Sequence, residues 1–224
     1  MIDGLGNYFN IDNIINLLLV ALAALISITI HEFSHGYAAY KLGDDTAKIY
    51  GRLSLNPFKH LDVIGVICLM FFRFGWAKPV PINSYNFKNK RSGIIIVSIA
   101  GPLSNLLLAF LSRILLVSIV KFNASQNLMP LYVFLTNMTY LNLGLFVFNL
   151  IPIPPLDGSK ILAMFLKGGA AYRYLSISNY SSIIFLVLFF VPMFSRVFSS
   201  VLMFFELKIL NLFDMIIQLF LGVF

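Results

Sequence analysis

Residues 14–30 carry no charged side chain, and the five residues that follow include His31, Glu32 and His35. The apolar run continues through the histidines to Tyr40, 27 residues in all, or about 40 Å of helix. That is enough to cross a bilayer. Ionisable groups inside such a segment are expensive in lipid, so their presence calls for a chemical reason. Within 27–40, SITIHEFSHGYAAY, the two histidines stand four residues apart, so on a helix both imidazoles leave from one face. The spacing lets them share one metal ion, with Glu32 beside them as a general base for water. The competing explanation is a polar cluster that hydrogen-bonds neighbouring helices together.

Composition agrees with a membrane location. Hydrophobic residues make up 59% of the chain and charged residues 11%, against about 25% charged in a soluble domain. The 224 residues suffice for one compact bundle, so 1–224 is read as a single domain. Lys and Arg number 16 against 9 Asp and Glu. In a membrane chain this excess belongs to cytoplasmic loops, which removes the case for nucleic-acid binding. A single cysteine, Cys68, excludes an intrachain disulfide and a cysteine zinc site. The first thirteen residues hold Asp3 and Asp12 but no basic residue, so 14–40 is expected to be retained and not removed as a signal peptide.

Along the chain, Gly43 follows Leu42 as a plausible helix end, and Asp44 and Asp45 break the apolar pattern as a solvated cap. Residues 47–55, AKIYGRLSL, partly alternate and predict one or two short strands, stopped by Asn56 and Pro57. The apolar stretch 63–72 is too short to span as a helix and predicts a re-entrant segment. The Pro-rich run 75–81 after it is expected to be extended. Residues 92–120 and 130–150 are the second and third clear spans. The prolines at 152, 154 and 155 then stop the helix. Residues 181–195 are apolar, and 197–224 are apolar with a polar stripe that suits either a span or an interfacial helix. The expected fold is an all-α polytopic membrane protein. It would hold about five to six transmembrane helices, with a short re-entrant and β-strand region between the first two clear spans.

Loop charge orients this bundle. Residues 41–60 hold Lys41, Lys48, Arg52 and Lys59, and 73–91 hold Arg73, Lys78, Lys88, Lys90 and Arg91. Residues 121–129 hold only Lys121, whereas 153–180 hold Lys160, Lys167 and Arg173. Placing the basic loops in the cytoplasm puts the N-terminus outside and brings His35 and Asp157 to the cytoplasmic half of the cell membrane.

A zinc enzyme of this type needs a third protein ligand and an open position. The acidic residues Asp44, Asp45, Asp62, Asp157, Glu206 and Asp214 all compete for that role. Asp157 sits in a rigid Pro-Pro-Leu-Asp-Gly segment, but it also suits the N-cap of a helix beginning at Ser159. His60 is a further contender, although Asn56, Pro57 and Lys59 suggest a surface turn there.

HEFSHG, GRLSLNPFKHLD, GWAKPVPIN, AGPLSN and NLIPIPPLDGS occur in this order between residues 27 and 159. Together they resemble the site-2 protease family of intramembrane zinc proteases, in its small bacterial-type branch. One departure is Val63, where the family pattern leads one to expect proline. No stretch reads as a PDZ-like or nucleotide-sensing domain. The resemblance implies that His31, His35 and Asp157 bind Zn²⁺, that Glu32 activates water, and that Asn105 faces the active site. For Asn105 the alternative is plain interhelical hydrogen bonding. The implied reaction is cleavage of a peptide bond in or near the transmembrane segment of a membrane-anchored protein or peptide. A zinc-binding scaffold without proteolysis, or a metal transporter, is the alternative. Transporters usually carry internal repeats, and HEFSH has no second copy.

Overall fold

The computed structural model describes residues 11–62, 65, 77–121 and 128–222. Helix α1, Ile11–Lys41, is the membrane-length segment expected from the apolar run. It stops where Gly43 takes a φ of 102°, a conformation that costs glycine little and a side chain much. Helix α3, Lys90–Lys121, and helix α4, Met129–Leu150, are the second and third spans. Pro130 opens α4 in its first turn, where a missing N–H costs nothing. After Pro152 and the cis Pro154–Pro155 bond the chain turns into α5, Asp157–Ala163. Then come α6, Gly169–Leu175, a 3₁₀ turn at Ser176–Tyr180, α7, Ser181–Phe190, and α8, Pro192–Leu221.

Helices α1, α3 and α4 pack against one another and form the centre of the molecule. Lipid tails are as apolar as leucine side chains, so helices in a membrane associate through close packing and interhelical hydrogen bonds. The sequence supplies small and polar residues at helical spacing for this: Gly101, Asn105, Ala109 and Ser112 on α3 are all buried. So are Ala23 and Ser27 on α1, and Thr139, Asn142 and Leu143 on α4. Helix α8 adds an apolar face, with Leu210 and Phe213 packed on Ala109 and Leu143.

Among the described residues, four helical segments are long and apolar enough to cross a membrane. They are Ile14–Lys41, Lys90–Lys121, Met129–Leu150 and Gly169–Phe190. The described residues therefore do not confirm the expected five to six. The 30-residue α8 has the length but carries Arg196, Glu206, Lys208 and Asp214.

The strand expected over 47–55 is not formed. A four-residue helix, α2, Thr46–Ile49, occupies its start. Tyr50 N–H then bonds Thr46 O and Arg52 N–H bonds Ala47 O, closing turns that use the backbone locally. A strand needs a partner, and the alternation here lacks one; Ala47 is instead buried against Gly36 of α1. The one β-type pairing among the described residues is an isolated bridge between Leu61 and Ala77. The expected re-entrant segment 63–72 lies, apart from Gly65, outside the described residues. Residues 78–82 form neither helix nor strand, and Pro79 and Pro81 leave two of their five positions without an N–H.

Asp44 is also not the solvated cap its position suggested. It is fully buried and accepts hydrogen bonds from Asn83 N–H at 2.7 Å and Asn86 Nδ2 at 2.7 Å, and from Thr46. Burial pushes its carboxyl up, but the bonds from Thr46, Asn83 and Asn86 outweigh this and hold it below the ordinary aspartate value. Asp44 thereby ties the end of α1 to the segment that precedes α3.

Candidate metal centre

The last turns of α1 bring His31 and His35 to the interior, each less than a tenth exposed. Their Nε2 atoms lie 3.0 Å apart. From the start of α5, Asp157 Oδ2 reaches to 3.4 Å from His31 Nε2 and 3.0 Å from His35 Nε2. Among the described residues these three form the one cluster whose ligand atoms, all within 4.8 Å of one another, could hold a metal ion.

Two glycines make the approach possible. A Cβ at Gly101 of α3 would overlap His35 Nε2 and lie 2.8 Å from His31 Cε1. A Cβ at Gly158 would overlap the carbonyl oxygen of Leu150, so glycine lets α5 start directly against the end of α4. Helix α5 begins at Asp157 itself, with Leu156 as its N-cap residue. The carboxylate is therefore not spent on capping and is aimed at the imidazoles.

The outer nitrogens of both rings are committed. His35 Nδ1–H donates to Val97 O at 2.7 Å. His31 Nδ1 meets Asn105 Oδ1 at 2.5 Å, and because Asn105 Nδ2 bonds elsewhere, that oxygen accepts and His31 donates. With hydrogen on both Nδ1 atoms, both Nε2 atoms present lone pairs. Neutral imidazoles thus place three acceptors in mutual contact with no proton between them. A small cation removes that repulsion, and a nitrogen, nitrogen, oxygen set from buried residues suits Zn²⁺. The residues fit the metal.

Lys160, one turn into α5, holds the other carboxylate oxygen, with Nζ 2.8 Å from Asp157 Oδ1. Burial alone would raise the Asp157 carboxyl. The charge of Lys160 acts in the opposite direction and lowers it. Glu32 lines the same cavity of about 670 Å³, together with Asn149 and Lys160. Its Oε2 accepts the N–H of Val80 at 2.8 Å, so the 78–82 segment lies directly on the glutamate.

The other contenders go elsewhere. Asp44 is used at the end of α1, Asp62 Oδ1 accepts Gly65 N–H, and Asp214 pairs with Arg113. Asp45 immediately precedes α2, and Glu206 faces Gly144 between α8 and α4. His60 does follow a turn, the 3₁₀ helix Pro57–Lys59. Its ring is buried, however, and its Nε2–H donates to Ser54 O at 2.7 Å, away from the metal cluster. Asn105 is not among the residues that line this cavity; it bonds His31 from behind and links α1, α3 and α4. The sequence reading passed over Gly101, Val80, Lys160 and Asn142. For Asn142 a signal was present: an amide in the middle of an apolar span invites the same question as a histidine there.

The description "Peptidase family M50" matches residues 116–191. The chain is 43% identical over 206 residues to "Putative zinc metalloprotease YwhC" of Bacillus subtilis, covering 89% of this chain and 92% of that protein. It is 29% identical over 174 residues to "Putative zinc metalloprotease Rip2" of Mycobacterium tuberculosis, covering 75% of this chain and 65% of that protein. The Rip2 protein of Mycolicibacterium smegmatis is 28% identical over 187 residues, covering 81% of this chain and 70% of that protein. No solved structure matches the chain significantly.

Proposed function

The chain belongs to peptidase family M50, the site-2 proteases, and from that premise we propose that it is an intramembrane zinc endopeptidase. It cleaves peptide bonds in or near transmembrane segments of membrane-anchored substrates. The observation that carries this reading is the meeting of His31, His35 and Asp157 in one buried cluster beside a cavity that Glu32 also lines.

His31, His35 and Asp157 hold Zn²⁺, which when bound supplies Lewis-acid polarisation of the scissile carbonyl and acidifies the attacking water. Glu32 takes the proton of that water and passes it to the leaving nitrogen. Val80 N–H fixes Glu32 through Oε2, and Oε1 is the oxygen we assign to proton transfer. Lys160 occupies Asp157 Oδ1 and leaves Oδ2 toward the two imidazoles. Asn105 supports the site through His31.

A helical substrate hides its carbonyls in its own hydrogen bonds and must unwind locally before cleavage. Residues 78–82, beside Glu32, offer backbone carbonyls on which an unwound segment pairs as an added strand, the N–H groups of Lys78 and Val80 being already used. The whole chain, 1–224, acts as one domain in the cell membrane, with its N-terminus outside and the site toward the cytoplasm. Helix α8 is a fifth span, because the pairing of Asp214 with Arg113 lowers the cost of its charges. Its partners are the bilayer and a transmembrane protein or peptide, and nucleic acid is not among them.

The test is Glu32→Gln in liposomes containing a model transmembrane substrate. Zinc is expected to be retained and cleavage lost. Surviving cleavage would remove Glu32 as the base. A wild type that cleaved nothing but moved Zn²⁺ across the bilayer would replace the protease with a transporter.

A further inference from the structure

We propose that Asn142 is a positioning residue of the metal centre. It sets the direction of the Asn105 amide, and through that amide the tautomer of His31. The inference rests on the zinc reading above.

Asn142 on α4, Asn105 on α3 and Ser27 on α1 are all fully buried. A carboxamide has an accepting end and a donating end of nearly the same shape, so its neighbours decide which way it faces. For Asn142 the decision is made by backbone. The Met138 carbonyl can only accept, and Asn142 Nδ2 donates to it at 2.8 Å and to Ser27 Oγ at 2.8 Å. Asn142 Oδ1 therefore faces α3, where it accepts from Asn105 Nδ2 at 2.7 Å. Asn105 Oδ1 is thereby turned to His31, whose Nδ1 must donate. With the hydrogen on Nδ1, His31 Nε2 presents its lone pair toward His35 and Asp157. The other contact that orients Asn105 is its Nδ2 to Ser27 O, at a longer 3.3 Å.

Each link is directional, and apart from the anchoring bond from Asn142 to Met138 within α4 each crosses between helices. If Asn142 is replaced by an apolar residue of similar size, Asn105 loses the nearer acceptor for its N–H groups. A flipped Asn105 would point N–H at His31 Nδ1. The imidazole would then carry its hydrogen on Nε2, inside the metal site, where it blocks ligation. Asn142 touches no ligand atom, yet it decides whether one ligand is competent.

The experiment uses the purified full chain in nanodiscs, with Zn²⁺ affinity measured by chelator competition and the Co²⁺ absorption spectrum as a second report on ligation. Asn142→Leu is expected to weaken Zn²⁺ binding about 10-fold or more, as loss of partners behind metal ligands does. Asn142→Asp keeps an acceptor toward Asn105 and, with its carboxyl hydrogen on the oxygen that faces the Met138 carbonyl, is expected to retain most of the affinity. Asn105→Ala weakens binding by itself, and adding Asn142→Leu to it should cause no further loss. A further loss in that background would overturn the relay, as would Asn142→Asp binding as weakly as Asn142→Leu or Asn142→Leu binding as tightly as wild type. Should the leucine variant fail to fold, ¹⁵N-histidine labelling of the wild type reads the tautomer directly. Hydrogen on His31 Nδ1 is expected, and hydrogen on Nε2 overturns the inference. A wild type that takes up no Zn²⁺ would overturn the zinc reading instead, while the labelled imidazole still tests the relay.

Discussion

Among the described residues, two of the places that put ionisable side chains into apolar helices resolve the cost in opposite ways. Between α3 and α8, Arg113 meets Asp214 in a two-pronged pair, Nε to Oδ1 at 2.7 Å and Nη2 to Oδ2 at 2.8 Å. Donors face acceptors and the charges cancel, so nothing further is required. At the end of α1, His31, His35 and Asp157 turn acceptors toward one another. Their donor hydrogens are spent outward on Asn105 and Val97. The first arrangement is complete as protein alone, whereas the second could hold a cation. Polarity inside a membrane helix is thus not by itself a sign of chemistry. What distinguishes the two places is whether the hydrogen bonds and charges close.

The comparison can be broken at either end. The largest expected effect is Asp157→Ala, which should take bound zinc from about one per chain to near zero by elemental analysis. Loss of zinc from His60→Ala, with Asp157→Ala unaffected, would move the third ligand to His60. Next is Gly101→Ala, whose methyl group enters the space of both imidazoles. Zinc content should fall severalfold while the protein remains folded in detergent. At the other pair, removing one partner, as in Asp214→Leu, should lower stability by about 1–3 kcal/mol. This is less than for a fully enclosed pair, because the two side chains keep 20% and 30% exposure. Replacing both with apolar residues of similar size should recover most of that loss, with zinc content unchanged throughout. A drop in zinc in the Arg113 or Asp214 variants would show that the two regions are not independent. The smallest effect is at Asp44. Its carboxyl is held below the ordinary value, so it contributes stability above the unfolded value near 3.8, lost as pH falls through its lower folded value. Acid unfolding curves of wild type and Asp44→Asn should converge at the acidic end.

Some of this was legible in the residues because it depends on local periodicity. A four-residue spacing fixes a common helix face, so His31 and His35 could be paired without knowing what lies opposite. The ends of α1 and α4 were marked by Gly43 and Pro152, whose backbone constraints act on neighbours in the chain. The strand over 47–55 was misread because alternation in a short segment records burial on one side, not the presence of a partner. Asp44 was misread for a related reason. Its four hydrogen-bond donors come from Thr46, Asn83 and Asn86, and two of those residues are remote in sequence.

The sequence by itself determined that the chain is built of membrane-length helices, that two imidazoles share a face, and that a glutamate sits beside them. Those properties follow from composition and the helical repeat, which are fixed by nearest neighbours. Only the tertiary structure decided which acidic residue closes the cluster, since Asp157 is brought there by the turn after α4 and by the room at Gly158 and Gly101. It alone decided that Asn105 and Asn142 run in one direction from Met138 to His31. Hydrogen bonds are directional over a few ångströms, and which donor meets which acceptor across three helices is set by their packing, not by the order of the residues along any one of them.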